Sequence, residues 1–333
     1  MADNFFDYTK VSQADDPEPF SMTDLLQSMS KMEPEDANFV GAFIGEPGTR
    51  KTTNAMKLAQ AITPPDKKIL YIFTGKGWTS LMNFPKLMSR TIKMPFIRNE
   101  QIETLRAALL NAEIREKLNI GAIVFDEYNR MQDMDTDILT KHRATLVNNG
   151  PTVYKDGVKV YKDPDTPEWP EYNTTKVRLI NLINDLLVVP KLHSFFVCHT
   201  RLQKKTGMIE PDFPEKTGAA FISMVHSLYY CKKVDVMEGG KLVTKYPIEL
   251  DGTAQTVSKN RIGGLPSEVS DTKYIIDAYS KWGAVEETSV ENKAATEEPK
   301  IVDDTIGVEP TGDSKLATTV VSKEEDPIAA IMG

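Results

Sequence analysis

The chain has 333 residues, of which 40% are hydrophobic, enough for one sizeable core with tails or for two domains. Its formal charge of -8 sits in one place: Glu286–Gly333 carries twelve acidic residues against four lysines, which accounts for all of it and leaves residues 1–285 with 36 charges of each sign. These figures exclude collagen-like and coiled-coil classes, no apolar run approaches the length needed to span a bilayer, and a basic face on a neutral core stays open.

The start, MADNFFDYTK, lacks the basic, apolar and small-residue sections of a secretory signal, so a cytoplasmic protein is expected. Cys198 and Cys231 lie in the apolar runs FFVCH and LYYCKK without metal-ligand spacing and read as buried free thiols, in keeping with a reducing compartment. Residues 1–37 read as an N-terminal arm, with 21-SMTDLLQSMSKM-32 a short amphipathic helix carrying Met22, Leu25, Leu26 and Met29 at helical spacing.

From residue 38 the pattern alternates. A strand, 38-NFVGAFIG-45, runs through a loop into a helix, 52-TTNAMKLAQAI-62, which Pro64 and Pro65 end. A second strand, 68-KILYIFTG-75, a lysine-bearing loop to Trp78 and a long amphipathic helix, 100-EQIETLRAALLNAEIREKL-118, lead to 120-IGAIVFDEY-128. That strand is apolar on both faces, as a central parallel strand covered by helices should be. The stretch 148–173 reads as an excursion with a small hairpin around Asp156-Gly157, and the helix 174–187 and the strand 192-LHSFFVCHT-200 repeat the unit. Residues 227–236 and 241–250 flank Glu238-Gly239-Gly240, a hairpin signal, and 253–261 reads as a third antiparallel strand. The expected class is α/β: a mostly parallel sheet between helices with an antiparallel C-terminal edge, over residues 38–285. The segment 286–333 has no aromatic residue and reads as a disordered acidic tail.

The loop after the first strand is Gly45-Glu46-Pro47-Gly48-Thr49-Arg50-Lys51-Thr52-Thr53. It matches the phosphate-loop pattern G-x-x-x-x-G-K-[ST] except that Arg50 stands where the second glycine belongs. Such a loop needs exposed N–H groups at a helix start for the phosphates, an ammonium (Lys51) for their outer oxygens, and a hydroxyl (Thr52) for Mg²⁺; Gly48 keeps the backbone open. Asp126 and Glu127 end the apolar strand about seventy-five residues later, a spacing at which an ATPase would place one carboxylate near Mg²⁺ and another near the attacking water. His199, followed by Thr200 and Arg201, ends the next apolar strand, where a polar group can sense a γ-phosphate. His142, His193 and His226 read as structural.

With these blocks in place, residues 38–280 resemble the RecA-core P-loop ATPases of bacteriophages that act as minimal single-strand annealing recombinases. The resemblance rests on GEPGTRKT, on IVFDEYNRM, on the aromatic-rich run from EWPEYN into FFVCHTR, and on SKNR followed by GGLP. It implies a RecA-like fold that binds ATP and Mg²⁺, works on single-stranded DNA, and assembles as a homo-oligomer in which Lys259 and Arg261 reach the neighbouring subunit's nucleotide. It also implies a mobile DNA loop at 201–218, with Arg201, Lys204, Lys205 and Lys216 meeting phosphates. Tyr154, Tyr161, Trp169 and Tyr172 could stack on bases. Two departures stand out: Arg50, and Gly75 where RecA-like enzymes place a catalytic glutamate, which leaves Glu127 to position water. An acidic cluster before the apolar tip PIAAIM could let the tail recruit a replication or recombination protein. A nucleotide-bound structural or assembly switch and a small-molecule kinase are the alternatives.

Overall fold

The computed structural model describes residues 38–149, 154–155, 158–159 and 161–281; the expected arm helix and acidic tail lie outside them. β1 (Val40–Ile44) leads to α1 (Lys51–Ile62) and β2 (Lys68–Phe73). A 3-10 turn (Gly77–Asn83), one helical turn α2 (Pro85–Met88) and β3 (Thr91–Pro95) follow. Then α3 (Asn99–Leu110) and α4 (Ala112–Leu118) deliver β4 (Ile120–Asp126), which turns at once into the long α5 (Tyr128–Asn149). A tiny hairpin, β5 (Tyr154–Lys155) with β6 (Val158–Lys159), precedes α6 (Trp169–Val188) and β7 (His193–Cys198). Next come a hairpin of β8 (Thr200–Leu202) and β9 (Ile209–Pro211), α7 (Glu215–Met224) and β10 (Ser227–Cys231). The described chain closes with a hairpin of β11 (Val234–Glu238) and β12 (Lys241–Lys245), then β13 (Ile248–Glu249), β14 (Glu268–Val269) and α8 (Thr272–Tyr279).

Eight strands form one sheet in the order β14-β13-β10-β1-β7-β4-β2-β3. Every neighbour from β10 to β3 is parallel, and β13 and β14 add the antiparallel edge. Both faces are covered, so the inner strands alternate between two cores rather than between core and water. Val40, Ala42, Ile44, Ile123, Phe125 and Phe196 face one side, where Leu179, Leu182 and Ile183 of α6 and Phe221 of α7 pack. Phe43, Tyr71, Val124, Val197 and Tyr229 face the other, against Ala55, Met56 and Leu58 of α1 and Ile275 of α8. Phe125 and Phe196 stack with ring centroids 5.2 Å apart, joining β4 to β7.

Histidines read as structural tie the amino end of β1. His193 Nδ1 accepts from Phe39 N at 3.1 Å and His226 Nδ1 from Val40 N at 3.1 Å. Burial pushes the His193 pKa down to about 4, so it serves as a neutral acceptor. Among the described residues no helix is long and apolar enough to cross a membrane.

Four segments fold otherwise than their sequence pattern suggests. The run 100–118 is two helices, because Asn111 leaves the helical region (φ -83, ψ 116) and its side chain caps the second helix by accepting from Ile114 N. Residues 227–236 split between β10, parallel to β1, and β11, which turns through Gly239 and Gly240 (φ 57 and 80) into β12 and, among the described residues, pairs with no other strand. The two positive φ angles are what a two-residue turn of this hand requires. Residues 253–261 form isolated bridges, Ile209 with Thr256 and Leu228 with Lys259, instead of a strand; the antiparallel edge comes from β13 and β14. Lastly, α6 begins at Trp169 rather than 174, because Pro170 suits a first turn and Glu168 and Glu171 form a reciprocal capping box.

Candidate functional site

The loop between β1 and α1 is shaped by three left-handed or glycine-only conformations: Gly45 (φ 150), Gly48 (φ 79) and Arg50 (φ 65). At Gly45 an added Cβ would stand 2.3 Å from the Cys231 carbonyl oxygen, so the position is closed to other residues on space as well as dihedral. Arg50 adopts the backbone that glycine takes without penalty, at a cost on the order of 1 kcal/mol. Its guanidinium turns out of the loop and lies over the Tyr246 ring, 3.7 Å from the centroid, a contact that returns part of that cost.

Lys51 folds back over the loop and donates to the Gly45 and Glu46 carbonyls, each at 2.8 Å. Burial lowers its pKa. Thr49 closes the turn by donating to Glu46 O at 2.8 Å. No side chain caps α1 at Arg50 and no acid stands in its first turn, so the free N–H groups and the positive end of the helix dipole meet the space above the loop unneutralised.

Opposite the loop, Asp126 is almost wholly buried, with 2% exposure. Thr52 Oγ1 donates to its Oδ1 at 3.0 Å, and the Tyr71 hydroxyl, from the middle of β2, donates to its Oδ2. Burial still pushes the carboxyl upward from its ordinary pKa. Glu127 stands at φ 60 and swings its carboxylate over the end of β2, where Thr74 Oγ1 donates to Oε2 at 3.0 Å. His199 Nε2 lies 3.7 Å from Oε1 and, with Thr74 and Arg130, holds this carboxyl below its usual range. A Cβ on Gly75 would come 2.7 Å from Glu127 Oε2, and one on Gly77 would come 2.3 Å from Asp126 Oδ2. The two glycines of FTGKGW therefore make room for two carboxylates. A glutamate at 75 would compete with Glu127 for one place.

Together these groups line a cavity of about 330 Å³. Its walls bring together Pro47, Gly48, Thr49, Arg50, Lys51, Thr52, Thr53, Asp126, Glu127 and His199. Gly45 and Glu46 shape the loop beneath, and Thr200 Oγ1 donates to Glu46 Oε1 at 3.1 Å, tying the end of β7 to the loop. Sequence reasoning missed Tyr71, which looked like one more core residue, and Thr79 and Ser80, which complete the wall beside Gly77. The glycine pair in FTGKGW was the available signal for that wall. Lys259 and Arg261 do not line the cavity. Lys259 bridges Leu228, which sits beside Ala42 in mid-β1, and its Nζ donates to Ser223 O at 3.3 Å; the Arg261 N–H donates to Ser227 Oγ near the amino end of the same strands.

The segment 201–218 is held as the β8–β9 hairpin and the start of α7. Its Arg201 is paired with Glu210 at 2.9 Å and Lys205 with Glu215 at 3.2 Å, while Lys204 and Lys216 are exposed. Tyr161, Trp169 and Tyr172 are exposed, but their neighbours in the chain are the exposed carboxylates Asp163, Asp165 and Glu168; the Tyr154 side chain lies outside the described residues. The chain matches no protein-family model and no curated protein sequence.

Asp126 generates a pH-dependent prediction. The folded state holds this proton more tightly than the unfolded chain does, so its contribution to stability is present at low pH and is lost as pH rises through the carboxylate range. Asp126→Asn removes the buried charge, and chemical denaturation at pH 7 is expected to show a gain of about 1 kcal/mol, the size of a typical stabilising substitution. The gain should shrink toward pH 4.

Proposed function

We propose that the chain is a RecA-like P-loop ATPase that binds Mg·ATP in the cavity above Lys51 and works, as an oligomer, on single-stranded DNA. The observation that carries this reading is the Thr52–Asp126 hydrogen bond beside Lys51 at an uncapped helix start: an ammonium, N–H donors, a hydroxyl and a buried carboxylate converge on one cavity. The cavity has room for a phosphate chain, and the parallel sheet opens it at the carboxyl ends of its strands, where α/β proteins take ligands.

The donor set fits Mg²⁺, since Thr52 and Asp126 offer hard oxygens. Among the described residues no cluster of three His, Cys, Asp or Glu could hold an ion alone, so these two would share it with phosphate oxygens. When bound, the ion would neutralise charge on the phosphates. The protein groups do the rest. Lys51 exchanges its carbonyl partners for outer phosphate oxygens, and the α1 N–H groups hold the inner ones. Glu127, kept ionised by its neighbours, accepts a hydrogen bond from the attacking water and orients it, while Thr74 and His199 fix the carboxylate's position. The hold on Glu127 also favours a second reading, a nucleotide-dependent switch with slow turnover.

Lys259 and Arg261 lie away from their own cavity, so a role on nucleotide would have to be exerted on a neighbouring subunit's. For DNA, support rests on the exposed Lys204 and Lys216, in the β8–β9 turn and the first turn of α7. The aromatic segment 161–172 contributes less, because the carboxylates around it would repel phosphates.

Lys51→Ala is expected to weaken Mg·ATP binding about 100-fold by calorimetry, the loss of one charge-assisted contact set, with the circular dichroism spectrum unchanged. Unaltered affinity would remove the phosphate-loop reading. Single-stranded DNA is expected to raise steady-state ATP turnover; an identical rate with and without it would favour the switch. Mixing Arg261→Ala with Glu127→Gln subunits should recover activity above that of either alone, and no recovery in assemblies shown to be mixed would argue against shared sites.

A further inference from the structure

Arg50 is the one loop residue that departs from the phosphate-loop pattern, and it lines two cavities. One is the phosphate cavity; the other, of about 850 Å³, lies between the β11–β12 hairpin on one side and the β14–α8 segment on the other. Val236 and Tyr246 form one wall of this second cavity, Pro266 and Tyr274 the other, with the Ser270 hydroxyl among them. Tyr274 is 53% exposed, so apolar ring surface stands open to a ligand. The Arg50 guanidinium on the Tyr246 ring makes a flat two-layer shelf at the boundary. The far wall is fixed to α1: α8 packs on it, Thr272 Oγ1 donates to Asn54 Oδ1 at 2.9 Å, and Lys57 pairs with Asp271 at 3.2 Å.

We infer that this second cavity receives the nucleobase of a nucleoside triphosphate whose phosphates occupy the loop, and that Arg50 acts on the base side, as part of the stacking shelf, rather than as a phosphate ligand. Three observations converge. The cavity adjoins the phosphate cavity, with Arg50 as their shared wall. Its walls combine two tyrosine rings and aliphatic groups with the charged Lys245 and Glu268 and with Ser270, a mixed lining that can both cover a planar heterocycle and hydrogen-bond its edge. The guanidinium rests on the Tyr246 ring, while the Gly45 and Glu46 carbonyls are taken by Lys51. The left-handed backbone at Arg50 then has a consequence: it throws the side chain sideways off the start of α1, toward the hairpin. This inference rests on the phosphate-loop reading above.

The test separates the two by comparing Mg·ATP with Mg·tripolyphosphate, which has the phosphates but no base or sugar. In calorimetry, Tyr246→Ala and Arg50→Ala are each expected to weaken ATP about five- to hundredfold, the range for losing one base–aromatic stack, and to leave tripolyphosphate unchanged. Alanine at 50 keeps a Cβ and hence the strained backbone, so the comparison isolates the guanidinium. Tyr246→Phe keeps the ring and is expected to retain ATP affinity. Equal weakening of both ligands by Arg50→Ala would make Arg50 a phosphate ligand and overturn the shelf; so would unchanged ATP affinity in both alanine variants. If the unaltered protein bound neither ligand, the phosphate-loop reading itself would fall, and this one with it.

Discussion

The buried carboxylate of Asp126 is the constraint around which the rest of the carboxyl edge is arranged. An ion removed from water needs partners, and this one takes a hydroxyl from α1 and another from β2. To supply them, α1 must start directly above β4, β2 must lie beside β4 in register with Tyr71 facing the acid, and the following loop must pass close enough that position 77 can carry no side chain. Burial continues to oppose the charge after these contacts are made. Such a group is hard to explain as a stabilising device, and a buried, strongly perturbed carboxyl in a cleft marks a candidate functional site.

Around that acid the loop is preorganised by its own contacts. Lys51 rests on two carbonyls of the turn it belongs to, Thr49 closes the turn, and Glu46 is tied to the end of β7. Glu127 and His199 each stand one residue past the carboxyl ends of the adjacent strands β4 and β7, so the pairing of those strands brings them side by side. Placing groups on rigid strand ends lets small polar side chains keep fixed distances without bound ligand.

Much of this was legible in the sequence, for a physical reason. A strand, a glycine turn and a helix start must be contiguous in the chain, so Gly45 to Thr53 appear as one block, and Asp126 and Glu127 appear as the end of an apolar run. Tyr71 was not legible. It stands 55 residues from Asp126, and alternation marks it only as inward-facing. Nor was the destination of Arg50, because its partner Tyr246 lies 196 residues away, just after β12. The break at Asn111 failed differently: the helical periodicity continues across it, and a single side-chain cap outweighs a weak propensity. The antiparallel edge was anticipated, and its β10–β13 pair lies within the expected segments 227–236 and 241–250, but its last strand is β14 rather than 253–261, since a two-residue strand carries too little pattern to be recognised.

The position of β1 in the sheet has a kinetic consequence. It is the first described strand, yet its two neighbours are β7 and β10, and the histidine acceptors that fix its amino end lie 154 and 186 residues further along. Contacts this distant in sequence close large loops, which slows their formation relative to local pairings such as the hairpins. The loop at 45–50 takes its shape from the end of β1 and from the Cys231 carbonyl, so during synthesis it is made early but acquires its form only after more than half of the chain has emerged. A chain interrupted before β10 would carry the whole glycine-rich motif and still lack the strand against which that motif is moulded.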